Sequence, residues 1–123
     1  MGAFSQTLRL ESIDGERAVE MEALVDTGAF YTLAPAELPR ELGVEPFDTY
    51  TLELADGSLV SHDVGLAVAT IGERSAPTMV LFGHDDVEPL LGAYTLEGLL
   101  LAVDPRNTRL VPLKLRMVSH PTV

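Results

Sequence analysis

A chain of 123 residues, 46% hydrophobic and 22% charged, is long enough to bury one core and too apolar to be disordered. A formal net charge of -11 leaves no basic footprint for a nucleic-acid backbone, and the absence of cysteine excludes disulfides and thiolate metal sites. No apolar run approaches the ~20 residues of a membrane-spanning helix. No basic stretch followed by an apolar core stands at the N-terminus, and Gln6 occupies the place where a myristoylation signal carries Ser or Thr. These features predict a single domain over residues 1–123, in the cytoplasm, with neither nucleic acid nor membrane as partner.

Short strands separated by turn residues predict an all-β chain. Leu8 and Leu10 alternate with Thr7, Arg9 and Glu11, and Asp14-Gly15 predicts a hairpin through a tight turn with positive φ at both residues. Val19, Met21 and Ala23 alternate with Glu20 and Glu22 before the apolar pair Leu24-Val25, where the strand enters the core. Residues Pro35 to Leu42 predict a short helix capped by Gly43. Tyr50, Leu52 and Leu54 lead to a second hairpin turn at Asp56-Gly57, followed by a long strand from Leu59 towards Ile71. After a turn at Gly72-Glu73, a strand is expected from Thr78 to Phe82, then a solvated loop with Asp85, Asp86 and Glu88. Leu90-Leu91-Gly92 precedes a helical turn reaching Leu96. A buried strand is expected from Leu99 to Val103, a turn at Pro105 to Asn107, and a last strand from Arg109 to Val118 with a bulge or an edge at Pro112.

The stretch Leu24-Val25-Asp26-Thr27-Gly28-Ala29 places a carboxylate where a buried strand ends. Such an element is rigid and poorly hydrated, which fixes a carboxylate's position and shifts its pKa. The Thr27 hydroxyl can orient nearby backbone. Gly28 lets backbone N–H groups approach the carboxylate, and Ala29 leaves room for a substrate. This stretch resembles the retropepsin-like (clan AA) aspartic peptidases, whose signature is Asp-Thr-Gly-Ala or Asp-Ser-Gly-Ala after two apolar residues. Two further features of that family match in order and spacing: a flap hairpin, here Thr49 to Val60 with Ala55-Asp56-Gly57-Ser58 at its tip, and an apolar-apolar-Gly element before a short helix, here Leu90-Leu91-Gly92. The resemblance runs from about Leu8 to Val111.

The resemblance implies a closed β-barrel of the acid-protease kind, with one or two short helices and a flap, forming half of a C2 homodimer. It implies Asp26 as the catalytic residue, supported by Thr27, Gly28 and Ala29. The flap and substrate-binding residues it implies are Ala55, Asp56, Gly57, Ser58, Phe30 and Leu91. The chain carries one such signature, so a two-carboxylate site needs two copies of the chain. The implied partners are a second copy and a peptide or protein substrate in extended form, with no metal or cofactor. Residues Gly2 to Gln6 and Leu115 to Ser119 are the implied intersubunit strands. Viral relatives often pair an acidic residue after the signature alanine with an arginine after the second glycine; here Phe30 and Ala93 stand there. With no polyprotein flanks, the chain looks like a free-standing cellular form, bacterial or from a mobile element.

Other readings are weaker. His62, His84 and His120 lack the paired spacing of metal ligands. Ser58 and Ser61 near His62 lack the glycines of a nucleophile elbow. The rival functions are a catalytically silent dimerisation or peptide-binding module of the same fold, against which the intact Asp26-Thr27-Gly28 argues, and an unrelated β-barrel scaffold.

Overall fold

The computed structural model describes residues 3–26 and 28–116. In chain order the elements are β1 (Phe4–Glu11), β2 (Ala18–Val25), β3 (Thr32–Pro35), α1 (Glu37–Glu41), β4 (Asp48–Glu53), β5 (Leu59–Ile71), β6 (Arg74–Gly83), β7 (Leu90–Leu91), α2 (Ala93–Gly98), β8 (Leu101–Asp104) and β9 (Arg109–Pro112). Neither helix is long and apolar enough to cross a membrane.

The first seven strands make one sheet in the order β1-β2-β7-β3-β6-β5-β4. β5 also returns to β1, pairing Val68 to Thr70 with Glu11 to Arg9, so the ladders link six of these strands in a circuit and leave β4 outside it. Period-two alternation decides which side chains fill the interior. Leu8 and Leu10 on β1, Met21, Ala23 and Val25 on β2, and Ala67, Ala69 and Ile71 on β5 are all buried in one cluster. Leu91, Val80 and Ala34 join them from β7, β6 and β3, while Leu96 and Leu99 press in from α2 and its end. Residues 4–6, expected in an intersubunit sheet, pair here with Ala23 to Val25 of the same chain. Among the described residues, the opposite edge of β1 is paired at Arg9 to Glu11. Gly2 and residues 117–119 lie outside the described residues.

Several local expectations are corrected. Neither Asp14 nor Asp56 adopts positive φ; only Gly15 (75°) and Gly57 (87°) do. The aspartates act instead as acceptors: Asp14 Oδ1 takes the Ser12 hydroxyl and the Glu16 N–H, and Asp56 Oδ1 takes the Ser58 N–H and hydroxyl. Thr32–Pro35 is a strand, where the pattern gives no element to Thr32 to Ala34 and assigns Pro35 to the helix; three of its four residues are buried, so it lacks alternation. β6 begins at Arg74, four residues before the expected start at Thr78. Pro77 is tolerated within it because β3 reaches only Val80 to Gly83 on that side. The strand expected from Leu99 starts at Leu101. Leu100 turns the chain at φ 57°, and Arg74 Nη1 donates to the carbonyls of Leu99 (3.2 Å) and Leu100 (3.0 Å). The last strand stops at Pro112, which pairs with Leu101 at the end of its ladder. α1 is shorter than expected, but Gly43 caps it at φ 74° with its N–H on the Arg40 carbonyl.

Leu91 is fully buried, which removes it from the substrate-binding set. Adjacent positions on a strand face opposite ways, so Leu90 is the residue turned out of the core. Leu91→Ala is expected to destabilise the chain by about 2–5 kcal/mol, read from denaturant unfolding.

Candidate active site

β2 carries the chain out of the core between Val25, which is 3% exposed, and Asp26, which is exposed. The sequence predicted a poorly hydrated carboxylate; within one chain nothing covers it. Its local geometry is nevertheless set. Asp26 Oδ1 accepts the Gly28 N–H at 2.9 Å, and the Asp26 carbonyl accepts the Ala29 N–H at 3.0 Å. An added Cβ at Gly28 would stand 3.3 Å from Oδ1, so the absent side chain is what lets the backbone close on the carboxylate. Thr27 lies outside the described residues.

The rest of the loop is held from the far end of the chain. Ala93 N–H donates to the Ala29 carbonyl (3.0 Å) and Tyr94 N–H to the Phe30 carbonyl (2.8 Å). Gly92 N–H donates to Thr32 Oγ1 at 3.1 Å. That hydroxyl is 2.6 Å from Thr95 Oγ1, which is 2.7 Å from Thr78 Oγ1. All three threonines are buried, and their hydroxyls satisfy one another in a region with little water. Gly92 is where backbone meets backbone. A Cβ there would lie 2.5 Å and 2.6 Å from the Tyr31 carbonyl carbon and oxygen, and against the Phe30 carbonyl oxygen.

Where the viral pattern would place charges, aromatic rings gather. Phe30 packs edge-on against Tyr31 (4.8 Å between centroids) and Tyr94 (5.9 Å), and Tyr31 reaches Tyr50 of β4 at 5.5 Å. These contacts join the Asp26 loop to the base of the β4–β5 hairpin. Between them lies an open cleft of about 450 Å³, lined by Asp26, Gly28, Ala29, Phe30 and Tyr31 below, Leu52, Glu53, Leu54, Val60 and His62 on the hairpin, and Leu33, Leu81 and Leu90 behind. A larger hollow of about 650 Å³ lies elsewhere, between the Ser12–Arg17 loop and Leu42–Phe47, and it touches no residue of the Asp26 loop.

Of the predicted site residues, Asp26, Gly28, Ala29 and Phe30 meet in the cleft. Ala55, Asp56, Gly57 and Ser58 form the exposed hairpin tip, closed by Gly57 N–H to the Leu54 carbonyl (2.9 Å) and Leu54 N–H to the Ser58 carbonyl (2.8 Å), and they do not line the cleft. Leu91 is in the core. Sequence reading missed Tyr31, Leu33, Leu52, Glu53, Leu54, Val60, His62, Leu81 and Leu90 as lining; the alternation that put Leu52 and Leu54 on one face was the available signal. Ser58 and Ser61 bond to Asp56 and Thr51 respectively, and His62 bonds to neither serine. His84 is exposed beside His62, and His120 lies outside the described residues.

No family model matches the chain, and no curated protein matches it. Among solved structures, the solution structure of the Simian Foamy Virus (mac) protease is similar, with 21% sequence identity and a TM-score of 0.50 over 75% of this chain and 92% of that chain. At this identity the likeness is one of fold. The chain is mostly β with two short helices and has the retropepsin-like fold.

Two outcomes are expected. Gly92→Ala should destabilise by about 3 kcal/mol or more, since neither carbonyl can yield without moving the Asp26 loop. Gly98→Ala, whose added Cβ would meet nothing nearer than Ala76 Cβ at 3.9 Å, should be tolerated; thermal unfolding of the pair tests this. At the tip, the Ser58 hydroxyl and then the Ser58 N–H hold the Asp56 carboxyl below its ordinary value of 3.8. Because the folded value is depressed, the turn is favoured above that pH and weakens as pH falls through the folded midpoint. Ser58→Ala should move the Asp56 midpoint up towards 3.8 in an NMR titration.

Proposed function

We propose that this chain is one half of an aspartic endopeptidase that hydrolyses peptide bonds through a pair of Asp26 carboxylates contributed by two identical chains. One observation carries the reading. Asp26, in an Asp-Thr-Gly-Ala loop, ends a buried strand on the floor of a largely apolar cleft beneath a hairpin, on the fold of a retroviral protease.

Two carboxylates about 3 Å apart cannot both ionise, so they share a proton and titrate as a pair. The ionised member takes a proton from a water molecule held between them. The water oxygen attacks the scissile carbonyl, which the protonated member polarises, and that proton passes later to the leaving amine. Gly28 N–H, on Asp26 Oδ1, fixes the carboxylate's orientation. The chemistry calls on no metal, cofactor or covalent intermediate. An extended peptide lies between the cleft floor and the β4–β5 hairpin, bonded through its main chain.

The need for a second copy is consistent with what one copy leaves uncovered. Asp26 is exposed, and Phe30 (55%), Leu54 (50%) and Leu59 (68%) expose apolar surface around the loop and hairpin. The first half of β1, whose outer edge has no strand partner among the described residues, offers a main-chain edge to the same partner. Phe30 and Ala93 stand where viral relatives often carry an ion pair, so that pair is not there for salt to screen.

Asp26→Asn should lower cleavage of an unstructured protein at least about 10²-fold while sedimentation shows an unchanged dimer, because an amide keeps the shape but is no base. Wild-type specific activity should fall on dilution along a monomer–dimer curve, and added peptide should shift that curve towards dimer. A monomer that cleaves with undiminished specific activity overturns the two-chain site.

A further inference from the structure

Above the Asp26 loop the cleft is lined by Leu33, Leu52, Leu54, Val60, Leu81 and Leu90, and two polar side chains interrupt that wall, Glu53 towards the hairpin tip and the imidazole of His62. His62 is half-buried on β5, opposite Tyr50 of β4 and on the same face as Val60. Its Nδ1 lies 3.0 Å from the Phe82 carbonyl oxygen. A carbonyl only accepts, so Nδ1 carries a hydrogen and donates it. That bond pins the ring, and it is the one hydrogen bond His62 makes among the described residues. No buried side-chain nitrogen or oxygen among those residues is left without a partner. Nε2 has no partner among the described residues, and His62 borders the cleft.

We infer that His62 is a specificity-determining residue, which selects a substrate carrying a carboxamide side chain, Gln or Asn, in the pocket it shares with the leucine wall. This rests on the cleft being the peptide site proposed above. A side chain that enters the pocket strips water from Nε2. An aliphatic one leaves that nitrogen unpaired, at the full cost of its desolvation. A carboxamide pairs with it whichever way the ring is protonated: its NH₂ donates to a bare Nε2, and its carbonyl accepts from Nε2–H. A hydroxyl has the same two-way chemistry on a shorter stem. The short stem of Ser or Thr covers little of the apolar wall, whereas the methylenes of Gln cover it and carry the amide past it. Leu33, Leu81 and Leu90 stand at one level on β3, β6 and β7, which makes that wall continuous.

The test uses the full chain at a concentration where it is dimeric. Peptides are compared in near-isosteric pairs, Gln against Met and Asn against Leu, scanned through the positions on each side of the cleaved bond. At one position the amide member should be preferred about tenfold in kcat/KM, the size of one well-made hydrogen bond. His62→Leu should bring that ratio to about one or invert it, and His62→Gln, which keeps a hydrogen-bonding tip, should retain a preference. Circular dichroism and thermal unfolding show whether each variant is folded, and His62→Gln keeps the comparison open if His62→Leu is not. Cleavage with no amide preference, or with one that His62→Leu leaves unchanged, overturns the inference and leaves the peptidase reading standing. If no peptide is cleaved, affinities of the same pairs are measured by calorimetry. A His62-dependent amide preference in binding then supports the inference while the peptidase reading fails, and absence of binding overturns both.

Discussion

The structure depends on a contact between two pieces of backbone that are far apart in sequence. Gly92 passes close enough to Phe30 and Tyr31 that no Cβ fits, and the two N–H groups after it close on the carbonyls of Ala29 and Phe30. Without this contact the Asp26 loop would be a surface turn carrying a solvated carboxylate. With it, the loop is clamped between the end of β2 and the start of α2. The buried threonine hydroxyls extend the clamp to β3 and β6, since Thr32, Thr95 and Thr78 each come from a different element. A glycine and three hydroxyls thus hold in place a loop that has no packed side chain of its own at Asp26.

The clamp also explains why the cleft is apolar. Pinning Ala29 and Phe30 to α2 brings β7 alongside both β2 and β3, with Leu33 opposite Leu90 and Val25 opposite Leu91. Adjacent residues on β7 then serve two surfaces: Leu91 goes to the core and Leu90 to the cleft. A two-residue strand fixed on both sides has no freedom to slip in register, because a one-residue shift would exchange those roles and expose Leu91.

Much of the fold could be read from the sequence because each rule used was local. Alternation placed β1, β2 and β4, the glycines marked four turns correctly, and the Asp26 signature drew attention to the loop that does line the cleft. What was misread required non-local information. Thr32–Pro35 looks like no strand, since it is four residues long and is held on its two edges by strands arriving about fifty and sixty residues later. Leu99 and Leu100 look like the start of a strand, but Arg74 from another hairpin caps their carbonyls and ends a helix there instead. Leu91 matched the spacing expected of a substrate-binding residue, yet only the parity of a paired strand decides which of two neighbouring leucines faces in. The aromatic row from Tyr94 through Phe30 and Tyr31 to Tyr50 joins residues spread over most of the chain, and spacing carries no trace of it.

The hairpin over the cleft divides into parts of different stiffness. Its tip is closed by two main-chain hydrogen bonds and by Asp56, whose carboxylate takes both the N–H and the hydroxyl of Ser58. Such a turn resists internal rearrangement even though every residue in it is exposed. The shaft is a regular antiparallel ladder from Asp48↔Val64 to Glu53↔Leu59. At the base, β4 has β5 as its one strand neighbour among the described residues, and it is otherwise steadied by Tyr50, through its ring's contacts with Tyr31 and Phe47 and its hydroxyl on Met79 Sδ. Ring contacts of this kind are broad and weakly directional compared with a ladder of hydrogen bonds. The compliant part of the hairpin is therefore its base, at the Tyr50–Tyr31 contact, and the tip is the stiffer unit. Because Tyr31 belongs to the loop that the Gly92 clamp holds, the base of the hairpin and the position of Asp26 are referred to the same fixed point.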